Sequence, residues 1–292
     1  MKLLKKEILN NRAQWLDKGY TLPAFDIDQV ARETHGSPEW VHFGAGNIFR
    51  AFIAEVQQQM LNEGKEKKGI VVAEGYDYEI IDKAYRPFDN LCLSVTLKSE
   101  GSILKTVVGS VVESLKMDPA SEDWKRLVSI FENPSLKIAS FTITEKGYNI
   151  KSADGEVFPF VEADFAAGPA RVGSYIGKVA ALMYARFKAG ELPISLVSMD
   201  NCSHNGTRLH DAVHAFAAEW ARRDLAEPAF AEYVENREKV GFPWSMIDKI
   251  TPRPDDKVIA MLKKDGFEDT ESVKTSKGTF VAPFVNAEET QY

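Results

Sequence analysis

Two glycines one residue apart, Gly44 and Gly46, stand between a strand-like run at 39–43 and a helical stretch at 47–62. In that stretch Ile48, Phe52, Val56 and Met60 recur every fourth position, with Phe49 and Ile53 beside them, and Gly64 supplies a stop. A strand that turns on glycines into a helix aims unpaired main-chain N–H groups at whatever lies above the turn. The alternation continues downstream. A buried strand is expected at 70–73. Asp118 is placed to cap a helix opening at Pro119, with Trp124, Leu127, Val128 and Phe131 on one face and Pro134 at its end. A strand at 136–144 follows, then a helix marked by Val172, Tyr175, Ile176, Val179, Leu182 and Met183. A strand at 194–199 precedes a helix marked by Leu209, Val213, Phe216 and Trp220, for which Thr207 can act as cap. Leu93, Val95 and Leu97 alternate with polar residues, and a turn at 99–102 leads into a strand at 103–112, which reads as an antiparallel hairpin.

Strands separated by helices favour a parallel sheet covered on both faces. The expected fold is therefore α/β, a doubly wound, largely parallel sheet with that hairpin as an insertion. In such sheets the ligand crevice lies at the carboxyl ends of the strands. Composition excludes several alternatives. The 292 residues are 44% hydrophobic and 27% charged, with a net charge of -7; this is a globular balance and lacks the basic surface that nucleic-acid binding needs. No run of 18 apolar residues offers a membrane span. Charges at Lys5, Lys6 and Glu7 interrupt any signal-peptide core. Cys92 and Cys202 form no C-x-x-C pair, so two reduced thiols in a cytoplasmic protein are expected, with no metal site.

Four strand ends carry the functional reading. At the first, Gly44 permits a tight turn and Gly46 lets a pyrophosphate approach the main chain, although Phe49 stands where the usual third glycine would be. The alternative is a plain glycine turn. At the second, Glu74 can accept hydrogen bonds from adenosine ribose hydroxyls and would repel the extra phosphate of NADP; it lies later than the usual spacing of about 20 residues. The alternative there is a solvated carboxylate. At the third, Gly147 is expected to take a positive φ, which leaves Thr144 and Glu145 facing the crevice where a nicotinamide would lie. At the fourth, Asn201 offers an amide donor that could polarise a substrate carbonyl; Asn205-Gly206 alone would be an ordinary turn. His210-Asp211-Ala212-Val213-His214 is read as two histidines on an amphipathic helix rather than as a zinc motif, because that chemistry uses Glu as its base.

Together these segments resemble the polyol-specific long-chain dehydrogenases, the mannitol dehydrogenase family, which includes the fructuronate reductases (D-mannonate oxidoreductases). The matching residues are His42-Phe43-Gly44-Ala45-Gly46-Asn47-Ile48-Phe49-Arg50 and Thr142-Ile143-Thr144-Glu145-Lys146-Gly147-Tyr148. They continue with Asp200-Asn201-Cys202-Ser203-His204-Asn205-Gly206 and Phe242-Pro243-Trp244-Ser245-Met246-Ile247-Asp248-Lys249-Ile250-Thr251-Pro252. The Asn47-Ile48-Phe49-Arg50 form is closer to the mannonate/fructuronate branch. The resemblance implies a Rossmann domain over 38–292, an N-terminal extension over 1–37, and NAD as cofactor. It implies phosphate contacts from Gly44, Gly46, Asn47, Ile48 and Phe49, a place near the cofactor for Asp248, and one half of an oxyanion-stabilising pair in Asn201. The implied activity interconverts a sugar acid or polyol and its keto form, with D-mannonate/D-fructuronate favoured over mannitol, altronate/tagaturonate or a polyol phosphate. The family's general acid/base is a lysine in a Lys-x4-Asn-x2-His segment of a C-terminal helical domain, and no lysine of this chain has that spacing. The chain is thus expected to be the cofactor domain alone, to bind cofactor but turn over poorly, and to self-associate through the face that a second domain would cover. A non-catalytic nucleotide-binding module is the reading from another class.

Overall fold

Alternating strands and helices run through the computed structural model, which describes residues 1–253 and 256–289. The last residues of the domain expected over 38–292 lie outside the described residues. The strands are β1 (Tyr20–Thr21), β2 (Trp40–Phe43), β3 (Ile70–Glu74), β4 (Cys92–Leu97), β5 (Ile103–Val108), β6 (Val111–Lys116), β7 (Ile138–Phe141), β8 (Ile194–Ser198), β9 (Val240–Gly241), β10 (Val273–Lys274), β11 (Phe280–Val281) and β12 (Phe284–Glu288). The α-helices are α1 (Lys5–Asn10), α2 (Arg12–Asp17), α3 (Ile27–Gly36), α4 (Ala54–Asn62), α5 (Glu122–Glu132), α6 (Pro159–Ala167), α7 (Tyr175–Lys188), α8 (Asn205–Arg222), α9 (Pro228–Glu235) and α10 (Asp256–Asp265). The chain divides into two compact units. One holds Met1–Gly36, Ala45–Ser114 and the segment from Asp248 onward; the other holds Ser37–Gly44 and Leu115–Ile247.

The second unit carries the parallel α/β core. β2 pairs β7, β7 pairs β8 and β8 pairs β9, all in parallel. α5 and α7 supply crossovers between these strands, and the fold class expected from the sequence is the one observed. Phe43 and Phe141 stack with centroids 5.0 Å apart across the β2–β7 pair, and both are fully buried. α5 starts later than expected. Asp118 instead forms a turn in which its carboxylate accepts from the Ala120 amide, and Ser121 caps the helix by accepting from Trp124 N at 3.3 Å. Likewise α8 opens at Asn205 behind a left-handed His204, so Asn205-Gly206 is a helix start rather than a free turn. Thr207 does not cap it; its hydroxyl accepts from Trp244 Nε1 at 3.0 Å.

The first unit has its own mixed sheet, in the order β1-β5-β4-β12. β4 and β5 form the expected antiparallel hairpin, while β1 joins β5 and β12 joins β4 in parallel. One face buries Leu93, Val95 and Phe284 with Trp15, Leu262 and Phe267, so residues from both ends of the chain share this core. The single strand expected over 103–112 is two strands. At Gly109 and Ser110 the sheet ladder gives way to side chains of the helix below. The Gly109 amide donates to Gln58 Oε1 at 2.6 Å, and the Ser110 hydroxyl donates to the Ala54 carbonyl at 2.5 Å. A Cβ on Gly109 would crowd Ile27 at 3.1 Å. β6 then continues beside β3. The helix expected over 47–62 contains a π-turn at Phe49–Ile53 before α4. Among the described residues no helix is long and apolar enough to cross a membrane, and both cysteines are free thiols.

Candidate functional site

The turn after β2 explains its first glycine by sterics. Gly44 has φ +109°, and a Cβ there would lie 2.2 Å from the Thr142 carbonyl oxygen, a contact no side chain can make. Gly46 is different. A Cβ on it would meet nothing within 4 Å, and the residue is exposed. No packing inside the protein calls for a glycine there, so the open space lies on the outer side of the turn. Asn47 accepts from Arg50 Nη2 at 2.7 Å, and Arg50, itself buried, also donates to the Ala282 carbonyl at 2.6 Å. Ile48 is partly exposed, whereas the Phe49 ring is fully buried and leaves only its main chain for a ligand.

Glu74, at the end of β3, is turned inward and nearly fully buried. Its Oε2 accepts from the Ala45 amide at 2.9 Å, and its Oε1 accepts from Tyr76 and Asp77 amides at 2.8 and 3.1 Å. It therefore ties the glycine turn to the loop after β3. A carboxylate has about four acceptor positions, and three of these are filled. Tyr85, also buried, donates its hydroxyl to the Ala45 carbonyl at 2.9 Å. Ala45 is thus held from both its N–H and its C=O.

In the second unit His42 lies beneath the Gly44 turn, fully buried between Ser140 Oγ at 2.7 Å and Thr142 Oγ1 at 2.9 Å. Burial lowers its pKa to about 3, so the ring is neutral. The positive φ expected at Gly147 is found at Thr144 instead, with φ +65° and ψ 158°. Gly147 is needed for another reason, since a Cβ there would sit 2.8 Å from the Ile143 side chain. For a β-branched residue the Thr144 conformation is strained by about 1–3 kcal/mol. Asp200 holds it in place. Its carboxylate accepts from the Ile143 and Thr144 amides, both at 2.9 Å, and from the Tyr148 hydroxyl at 2.6 Å. Burial, then the Asp200 charge, pushes the Tyr148 pKa up, so the phenol stays a donor. The outlier lies where the sequence placed a nicotinamide, and strain of this kind persists where surroundings over-determine it.

Asn201 follows Asp200 directly and is exposed. Its loop is anchored by Asn205, which is buried and donates to the carbonyls of Ser198, Asp200 and Ser245 at 3.1, 3.1 and 2.8 Å. Gly206 then lets α8 pass under Phe242 and Pro243, whose carbonyls would lie 2.6 Å from an added Cβ. Asp248 is exposed in an irregular stretch of the first unit, with no hydrogen bond among the described residues. The structure therefore links Glu74 to the glycine turn, and Thr144 to the residue before Asn201; it links Asp248 to neither. Sequence reasoning missed Asp200, Tyr148, Tyr85, Asn205 and His42. Asp200, Tyr148, Asn205 and His42 lay inside quoted motifs, and their signal was a polar residue in a strand end with no assigned chemistry. Among the described residues no group of His, Cys, Asp and Glu could hold a metal ion.

A parallel α/β core whose first strand turns on glycine into a helix has the architecture of a Rossmann-type fold. The chain belongs to the mannitol dehydrogenase family: residues 38–277 match the mannitol dehydrogenase Rossmann domain. It is 50% identical over 289 residues to a D-mannonate oxidoreductase of Thermotoga maritima, covering 99% of this chain and 53% of the relative. It is 29% identical over 250 residues to a mannitol 2-dehydrogenase of Cereibacter sphaeroides, covering 81% and 46%. Among solved structures, a D-sorbitol dehydrogenase in substrate-free form matches with TM-score 0.73 and 27% identity, covering 92% of this chain and 51% of that one. The Pseudomonas fluorescens mannitol 2-dehydrogenase, in ternary complex with NAD and D-mannitol, matches in fold with TM-score 0.75 at 23% identity, covering 99% and 53%. The chain spans about half the length of the curated relatives it matches.

Proposed function

We propose that this chain is the cofactor-holding part of an NAD(H)-dependent oxidoreductase that interconverts a sugar acid or polyol and its keto form, with D-mannonate and D-fructuronate the favoured pair. The observation that carries the reading is Gly46, a glycine over open space at a helix start, beside a turn held from both sides by Glu74 and Tyr85. Main-chain N–H groups from Gly46 to Phe49 would meet a diphosphate there. Bound NAD would supply or accept the hydride. The chain's own part is to hold groups around that transfer. Asp200 fixes the Thr144 amide, and Asn201 beside it would donate to the substrate oxygen as charge develops. Asp248 is placed near the cofactor in the same proposal, and residues 38–292 form the cofactor domain behind an extension at 1–37. The choice of D-mannonate is supported by the 50% identity to the Thermotoga maritima oxidoreductase. A cytoplasmic location, supported by the two free thiols, belongs to the proposal. So does self-association, for which exposed Trp244 and Met246 are the support; a monomer at every concentration in sedimentation would count against it.

Gly46→Val tests the central reading, because the added side chain meets nothing of the protein. The variant is expected to keep its unfolding midpoint and to bind NADH at least about tenfold more weakly, the loss of roughly one main-chain contact to a charged group. Unchanged NADH affinity, or no NADH binding by the wild-type chain, overturns the reading.

A further inference from the structure

We propose that Arg208 forms the subsite for a substrate carboxylate, and that it lets this chain favour a sugar acid over a neutral polyol; this rests on the hydride-transfer reading above and deepens it. A polyol and the matching sugar acid share most of their hydroxyls and differ by a negative charge at one end of the carbon chain. A fixed cation with donors to spare, a short carbon chain away from the reacting oxygen, separates the two. Arg208 stands in the first turn of α8. Its Nε donates to the Ser203 carbonyl at 2.9 Å, and its Nη2 pairs with Glu145 Oε1 at 3.0 Å. Ser203 lies two residues after Asn201, a span of at most about 7 Å, and Glu145 directly follows Thr144. The guanidinium therefore bridges the loops after β7 and β8, close to the amide assigned to the substrate oxygen.

A guanidinium presents five N–H donors in a planar fork. Here Nε and Nη2 use one edge, on Ser203 and Glu145, while the outer edge led by Nη1 makes no hydrogen bond among the described residues. Two parallel N–H groups on such an edge match the two oxygens of a carboxylate. The surrounding charges favour the same ligand. The Asp200 carboxylate is taken up by the Ile143 and Thr144 amides and by the Tyr148 hydroxyl. Lys146, on the same loop as Glu145, is exposed. Glu145 itself is a loose partner, since its side chain is 57% exposed and that of Arg208 40%, and an exposed pair of this kind is worth little. Glu145 keeps the guanidinium oriented and competes with an incoming carboxylate for it. The two residues therefore act with opposite signs on the binding of an acid.

The test loads the 292-residue chain with NADH and titrates it by NMR with D-mannonate and, as the neutral counterpart, D-mannitol. The wild type is expected to bind D-mannonate at least about threefold more tightly than D-mannitol. Arg208→Gln is expected to weaken D-mannonate about three- to tenfold, the loss of a charge-assisted contact at a partly exposed site, and to leave D-mannitol and NADH unchanged. Glu145→Gln removes the competitor and should strengthen D-mannonate about two- to threefold, again with D-mannitol unchanged. A merely structural role would move both ligands together. Arg208→Gln affecting both ligands equally, or neither, overturns the subsite, as does a Glu145→Gln variant that binds D-mannonate no better than the wild type. A wild type that binds NADH but shows no preference for D-mannonate, or binds neither sugar, overturns it as well and leaves the dinucleotide reading standing; a wild type that does not bind NADH overturns that reading and the subsite with it.

Discussion

His42 shows how a single residue can set both the geometry beneath the turn and the acid stability of the fold. Trp40 Nε1 can only donate, and it donates to Ser140 Oγ at 2.7 Å. His42 Nδ1 pairs with the same Ser140 Oγ at 2.7 Å, and Nε2 pairs with Thr142 Oγ1 at 2.9 Å, below the end of the turn. Protonating the ring would place a charge in a fully buried site. That is why the pKa falls from 6.5 to about 3. The unfolded chain binds a proton at this residue below about pH 6.5, whereas the folded chain does not until about pH 3. Stability from this group is thus complete above the unfolded pKa and is lost as pH falls toward the folded one. The slope reaches up to about 1.4 kcal/mol per pH unit. Urea unfolding at pH 7, 6 and 5 is expected to show a steeper loss for the wild type than for His42→Gln. Equal slopes would mean that the imidazole is not held neutral.

At the scale of elements, Arg186 on α7 fastens the lower ends of two parallel strands. It is fully buried, and its guanidinium donates to five carbonyls, those of Phe131, Asn133, Leu136, Leu192 and Pro193, at 2.7 to 3.0 Å. These carbonyls come from the segments that lead into β7 and β8. A planar fork can satisfy them together, whereas an ammonium has three donors on one atom. Arg186→Lys is expected to cost about 3 kcal/mol in chemical unfolding, from carbonyls left unpaired in the core; a loss below about 1 kcal/mol would show that water takes their place. Nothing in the sequence pattern marks this role, since an arginine late in an amphipathic helix reads as a helix end facing solvent. The elements that were legible are those with strong periodicity, such as α5, α7 and α8 and the strands between them. The β4–β5 hairpin was legible from alternation and its turn. What escaped depends on distant pairing. β12 joins β4 across nearly two hundred residues, and the β10–β11 hairpin has two-residue strands. The site follows the same division. Gly44, Gly46 and Thr144 announce themselves by position after a strand, but the inward turn of Glu74 is decided by three amides that only the folded loop brings near.

For the whole molecule, the question is which parts of a hydride-transfer reaction these residues can perform. In the proposed function the glycine turn would receive a diphosphate, and the loop after β8 carries the exposed Asn201 whose amide would face the substrate oxygen. Reducing a ketone also requires a proton delivered to the oxygen as hydride arrives at carbon. The family's lysine segment for that step has no counterpart among these 292 residues. Cys202 is partly buried and its pKa is raised, with burial the main cause, so its thiol stays protonated and is a weak acid. Tyr148 donates to Asp200 and is pushed up by burial and by that charge, which also removes it as an acid at neutral pH. A positioned acid contributes about 10²- to 10⁴-fold. The chain by itself is therefore expected to bind NADH yet to reduce D-fructuronate no faster than its Asn201→Ala variant, followed as NADH oxidation at saturating cofactor. An amide that stabilises developing charge has nothing to act on when the proton cannot follow, so truncating it should change nothing. A wild-type rate clearly above that of Asn201→Ala would mean that a proton donor lies within this chain, and the exposed groups flanking Thr144, with Lys146 first, would be the place to look for it.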